Sequence, residues 1–123
     1  MKKLITATTL AASALFASAG VGQAQAAGET ITYTFCSDTR EVAHLNWFDG
    51  DNDQDSRTNA TLNRREAGRY CGDATVTSRS TYQLAGSAIQ TEGTYASCSI
   101  AINGVLKDSQ YATGRYAVAV CSA

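Results

Sequence analysis

Four cysteines constrain this chain more than any other feature, because no two of them stand close together. Cys98 and Cys121 are the nearest pair, so the chain has neither a C-x-x-C redox motif nor the close ligand pairs of a zinc site. Their chemistry then depends on the compartment, and the N-terminus predicts it. Met1-Lys2-Lys3 supplies a short positive segment, and "LITATTLAASALFASAGVG" follows without a charge. Ala24-Gln25-Ala26 then has the small-x-small form that signal peptidase reads. Leu4 to Val21 is short for a membrane span, which needs about 20 residues, and is built from Ala, Thr and Ser rather than Leu and Ile. The expectation is a signal peptide over residues 1–26, cleaved after Ala26, and a secreted domain over 27–123. In a small exported domain an even set of cysteines reads as a disulfide framework. Cys36, Cys71, Cys98 and Cys121 are therefore expected in two bridges, with three connectivities open.

The length left after cleavage suits one small domain. Formal net charge is −1 for the whole chain, and Lys2 and Lys3 both fall in the leader, so the exported part is more acidic still. That balance argues against a nucleic-acid partner, which needs a basic face. No second hydrophobic span follows, so no stable membrane insertion is expected after cleavage.

Apolar residues recur with a period of two. In "ETITYTFC" Ile31, Tyr33 and Phe35 share one face and Thr30, Thr32 and Thr34 the other. In "EVAHLNWF" the pattern sets Ala43, Leu45 and Trp47 against Val42, His44 and Asn46. "RTNATLN" is more polar, "DATVTSRSTYQLAGSAIQ" is interrupted at Gly86, and "TYASCSIAI", "VLKDSQ" and "RYAVAV" complete the set. About seven or eight short strands separated by Gly, Asn and Asp clusters predict an all-β sandwich. Leu62 to Tyr70 could form a brief helical turn, limited by Gly68. Proline is absent, so protection of sheet edges has to come from charge and bulges.

Asn103-Gly104 is a strong hairpin signal. A tight turn there puts Ile102 opposite Val105 and Cys98 opposite Ser109. If Arg115 to Cys121 were a third meander strand, Cys121 would then end roughly 15–20 Å from Cys98 at ~3.3 Å per residue, too far for a bridge. The alternative pairs the two cysteine strands directly, with Ile100 opposite Ala119, Ile102 opposite Ala117, and Asn103 to Gly114 as an excursion.

Candidate chemistry is sparse. Asp49, Asp51, Asp53 and Asp55 alternate in "DGDNDQD", but a calcium loop begun at Asp51 would need Gly and Glu where Ser56 and Leu62 stand. The segment reads as a solvated turn. His44 is the lone histidine and sits mid-strand, and no G-x-S-x-G elbow is present. No catalytic residue, metal ligand or cofactor is therefore expected. Asn59-Ala60-Thr61 forms a glycosylation sequon, relevant only in a eukaryotic secretory pathway. Arg64, Arg65 and Arg69 lie among acids, as on a solvated face. The tyrosines and Trp47 read mostly as strand and core residues, with some tyrosines available for a protein-binding surface.

"ITYTFCSDTREVAHLNWFDGDNDQ", "ATVTSRS" and "CSIAINGVLKDSQYATGRYAVAVC" resemble the extracytoplasmic domain of the MmpS family. Its members are small actinobacterial proteins that accompany MmpL transporters of the resistance-nodulation-division class. The likeness runs from about Thr30 to Cys121. It is most specific in the ending C-x-I-x-I/V-N-G-x-x-K-D with its later terminal-strand cysteine, and weakest from Ser56 to Asp73. The resemblance implies an immunoglobulin-like sandwich and a noncatalytic role in exporting siderophores or lipids. Its implied partner is a membrane transporter or another envelope protein. It also implies that Cys98 bonds Cys121, across an antiparallel strand pair, and leaves Cys36 for Cys71. Two features depart from the family: the leader is expected to be cleaved where members keep an anchor, and the pair Cys36 and Cys71 is additional. Both fit a freely secreted relative, a binding or inhibitor module on the same scaffold.

Overall fold

The computed structural model describes residues 26–123; the signal-peptide expectation concerns residues 1–26 and, except for Ala26, lies outside the described residues. Among the described residues nine antiparallel strands are formed: β1 (Thr30–Ser37), β2 (Glu41–Phe48), β3 (Gln54–Thr61), β4 (Arg64–Glu66), β5 (Arg69–Thr77), β6 (Gly86–Thr91), β7 (Tyr95–Ile102), β8 (Val105–Thr113) and β9 (Val118–Ser122). They make a five-stranded sheet, β4-β5-β1-β7-β8, facing a four-stranded sheet, β3-β2-β6-β9. This is the expected all-β, disulfide-stapled sandwich, the two-sheet architecture that immunoglobulin-like domains use. Among the described residues no helix is long and apolar enough to cross a membrane.

Alternation builds the core. Ile31, Tyr33 and Phe35 of β1 and Ala96, Cys98, Ile100 and Ile102 of β7 point from the larger sheet toward Val42, Leu45, Trp47, Ile89, Ala119 and Cys121. Phe35 and Trp47 meet across the sheets with centroids 5.9 Å apart. Each fully buried aliphatic side chain contributes about 1.5–3 kcal/mol by leaving water. The Tyr33 hydroxyl is wholly buried and donates to the Phe48 carbonyl at 2.8 Å. Burial is the main cause that pushes its ionisation far above the ordinary tyrosine range, so it stays a neutral donor.

The structure corrects the sequence expectations at four points. First, Val42 lies in the core with Leu45 and Trp47, not on the His44 face, because the β2–β6 register shifts between Val42 and His44. One extra residue in a strand turns everything beyond it to the opposite face. Second, the segment from Leu62 to Tyr70 is no helical turn: β4 and β5 form a hairpin through Ala67 and Gly68, both with positive φ.

Third, Asn103 and Gly104, with φ of 52° and 84°, do close a tight hairpin, and Ile102 faces Val105 as expected. A register shift then leaves Lys107 unpaired, so Cys98 faces Gln110 rather than Ser109. Fourth, β9 does not pair with β7. It crosses to the other sheet and pairs with β6, with Cys121 opposite Ser87 and Ala119 opposite Ile89.

Cys98 and Cys121 are nonetheless bonded, with Cα atoms 6.1 Å apart, and their bridge runs between the sheets through the core. Both sequence alternatives had placed β9 in the sheet of β7, where a tight hairpin and this bridge exclude one another. In the two-sheet arrangement they coexist. Cys36 and Cys71 form the second bridge between facing residues of β1 and β5. Two disulfides point to an oxidising, extracytoplasmic environment.

The lack of proline at the edges is met as anticipated. β4 is short and charged, β8 carries the Lys107 bulge, and the Ser122 amide of edge strand β9 donates to Asp108 Oδ2 at 2.9 Å.

Candidate functional site

One end of the sandwich is assembled by a single carboxylate. Asp38, just past β1, accepts hydrogen bonds from the Thr94 amide at 3.0 Å, the Thr94 hydroxyl at 2.8 Å and the Tyr95 amide at 3.0 Å. Burial pushes its ionisation upward, but these hydrogen bonds from Thr94 and Tyr95 outweigh it and hold the carboxyl below its ordinary value. Glycine is required beside it, since a Cβ at Gly93 would sit 2.5 Å from Asp38 Oδ1. The loop after β8 is laced to the same frame: the Gly114 amide donates to Thr94 O at 2.9 Å, and the Tyr116 amide to Gly93 O at 3.0 Å. Tyr116 holds φ at 56°, an uncommon conformation for a bulky residue, at the tip of this loop.

Tyrosine and arginine side chains stand on that frame. The Arg69 guanidinium lies 3.7 Å from the Tyr95 ring centroid, and Tyr95 stacks on Tyr111 at 6.1 Å with planes 20° apart. Arg115 lies 5.1 Å from the Tyr116 ring, and Arg65 lies 4.6 Å from Tyr70 while donating to its hydroxyl at 3.1 Å. Tyr111 is 71% exposed and Tyr116 47%. Among the described residues neither half-buried Arg69 nor exposed Arg115 forms an ion pair. Flat aromatic faces with guanidinium edges suit recognition of another protein, where Tyr and Arg concentrate binding energy.

The residues singled out in the sequence go elsewhere. Asp49 folds the "DGDNDQD" turn on itself, its Oδ1 accepting from the Asp51 amide at 2.8 Å and the Asp53 amide at 3.0 Å. Asp51 pairs with Arg79 and Asp55 with Arg57. The carboxylates of Asp49, Asp51 and Asp55 are thus engaged in turn formation and separate pairs, and among the described residues the four aspartates are not gathered around a point. His44 lies between Thr58 on β3 and Gln90 on β6, half-buried, with Nδ1 lacking a hydrogen-bond partner. Asn59 is exposed on β3 with φ of 55°. Arg64 joins Asp73 at 2.7 Å, Arg65 turns to Tyr70, and Arg69 to Tyr95, so the three arginines do not form one basic spot. Tyr82, 73% exposed, lies apart from this ensemble, its carbonyl accepting from Asn52.

Sequence reasoning missed the tyrosine–arginine end because its members are distant in the chain. Only Arg69-Tyr70 and Arg115-Tyr116 are adjacent, and Arg69 pairs with Tyr95, not with its neighbour. Comparison with models of known protein families and with curated proteins finds no match for this chain.

Proposed function

We propose that this chain is a noncatalytic, exported binding domain of the MmpS-like kind, engaging an envelope protein, and specifically an MmpL-type transporter in siderophore or lipid export, through its tyrosine–arginine end. The observation that carries this reading is the Arg69–Tyr95–Tyr111 ladder, ending on a largely exposed ring and seated on a frame that Asp38 fixes. Preorganised aromatic and guanidinium groups lose little freedom on binding, which is what makes such residues effective anchors. A second reading, a free secreted binding or inhibitor module, is favoured by the additional Cys36–Cys71 bridge. A photo-crosslinking residue in place of Tyr111 or Tyr116, and as a control in place of Ser56 on β3, separates the two in the producing cell. The transporter reading predicts an adduct with an integral envelope protein from the first two positions and none from Ser56. Adducts only with soluble proteins in the medium support the free module. Equal labelling from all three positions contradicts both.

A further inference from the structure

Of the seven arginines among the described residues, three hold a carboxylate: Arg57 that of Asp55, Arg64 that of Asp73 and Arg79 that of Asp51. Arg40, Arg65, Arg69 and Arg115 form no ion pair among the described residues, and all four lie at the tyrosine–arginine end. Three of them share a second property. Arg65, Arg69 and Arg115 lie over tyrosine rings, 4.6, 3.7 and 5.1 Å from the centroids of Tyr70, Tyr95 and Tyr116. A ring holds the flat face of a guanidinium and leaves its in-plane N–H donors for an acceptor. Arg65 uses one of them on the Tyr70 hydroxyl at 3.1 Å, whereas the Arg69 and Arg115 guanidiniums donate to no described residue. The carboxylates at this end do not answer these charges. Asp38 is taken by Thr94 and Tyr95, and Glu66 by Arg64. Glu41 opens β2 and Glu92 follows β6, both strands of the smaller sheet, while Arg65, Arg69 and Arg115 stand on or just past strands of the larger one.

We propose that the partner engaged here presents an acidic segment, whose carboxylates are received by Arg65, Arg69 and Arg115 beside Tyr111 and Tyr116; the inference rests on the reading of this end as a protein-binding surface. A partner that covers the exposed rings of Tyr111 and Tyr116 also takes water from the guanidiniums beside them. A cation removed from water without a counter-charge is costly, and a carboxylate that accepts two N–H donors at once offsets that cost. Each guanidinium is already held against its ring, so little side-chain freedom is lost on pairing. The far end of the sandwich gives the contact its direction. Asp49, Asp51 and Asp53 stand in the turn between β2 and β3, and they repel the segment that the arginines attract.

The test places the photo-crosslinking residue at Tyr111 in the producing cell and adds Arg65→Gln, Arg69→Gln or Arg115→Gln singly, with Arg79→Gln at the far end as control. The expected adduct joins a partner peptide rich in Asp and Glu. Its yield falls about tenfold with Arg69→Gln or Arg115→Gln, falls in raised salt, and is unchanged in Arg79→Gln. Circular dichroism of the secreted variants checks their folding. Arg115 is exposed in a loop, so its variant decides the matter even where Arg69→Gln misfolds. Absence of any adduct from Tyr111 would overturn the reading of this end and the inference with it. An adduct indifferent to the arginines and to salt, or formed with a basic or uncharged peptide, would overturn the acidic partner alone and leave the end a protein-binding surface.

Discussion

The Asp38 carboxylate receives the Thr94 and Tyr95 amides from the loop between β6 and β7, and so fixes the start of the strand that carries Tyr95. Asp38→Asn keeps the shape but loses the charge that strengthens these bonds, and should cost about 1–2 kcal/mol at neutral pH. The folded-state ionisation of Asp38 is lowered, so its contribution is full above the unfolded value near ~3.9 and disappears as pH falls through the folded value. The gap between wild type and variant should therefore be constant from neutral pH to about pH 5 and close below it. Urea titrations at a series of pH values measure it. A gap that widens on acidification would mean that the charge is not what holds the loop.

At the level of strands, much was legible because local chemistry and tertiary environment agree. Thr30–Ser37 alternates cleanly, and its apolar Ile31, Tyr33 and Phe35 are buried, with Ser37 continuing the same face. Asn103-Gly104 specified its turn because both positions need positive φ, which Asn and Gly adopt most easily. Val42 was misplaced because nothing in "EVAH" marks the bulge after it. Arg64–Glu66 was missed because three charged residues carry no strand pattern, and only the Ala67-Gly68 turn brings them to β5. The crossing of β9 to the second sheet has no local signature at all. It follows from where Ala117, Val118 and Ala119 can be buried.

Gly104 also gives a sharp test of the β7–β8 hairpin. Nothing lies within 4 Å of a Cβ added there, so Gly104→Ala isolates the backbone cost of its φ of 84°. A loss of about 1–2 kcal/mol is expected, or roughly 4–16 °C in Tm. No loss would contradict the left-handed turn.

Across the whole molecule the two bridges differ in what they join. Cys98–Cys121 ties the sheets through the core, where no backbone hydrogen bonds link β7 to β9. Replacing both cysteines by Ala removes roughly 3 kcal/mol of unfolded-chain restraint and leaves a packing defect besides. Against a margin of ~5–10 kcal/mol this should lower Tm by at least roughly 12 °C while leaving the chain folded at room temperature, as calorimetry would record.

The tyrosine–arginine end was the least legible feature, since it exists only once β5, β7 and β8 lie in one sheet and bring Arg69, Tyr95 and Tyr111 into line. Amide hydrogen exchange of the protein, free and bound to the envelope protein it crosslinks, tests its role most directly. The account predicts added protection confined to Arg65–Tyr70, Gly93–Tyr95 and Tyr111–Tyr116. Protection centred instead on Asp49–Arg57 at the opposite end, with the tyrosine–arginine loops unchanged, would contradict it.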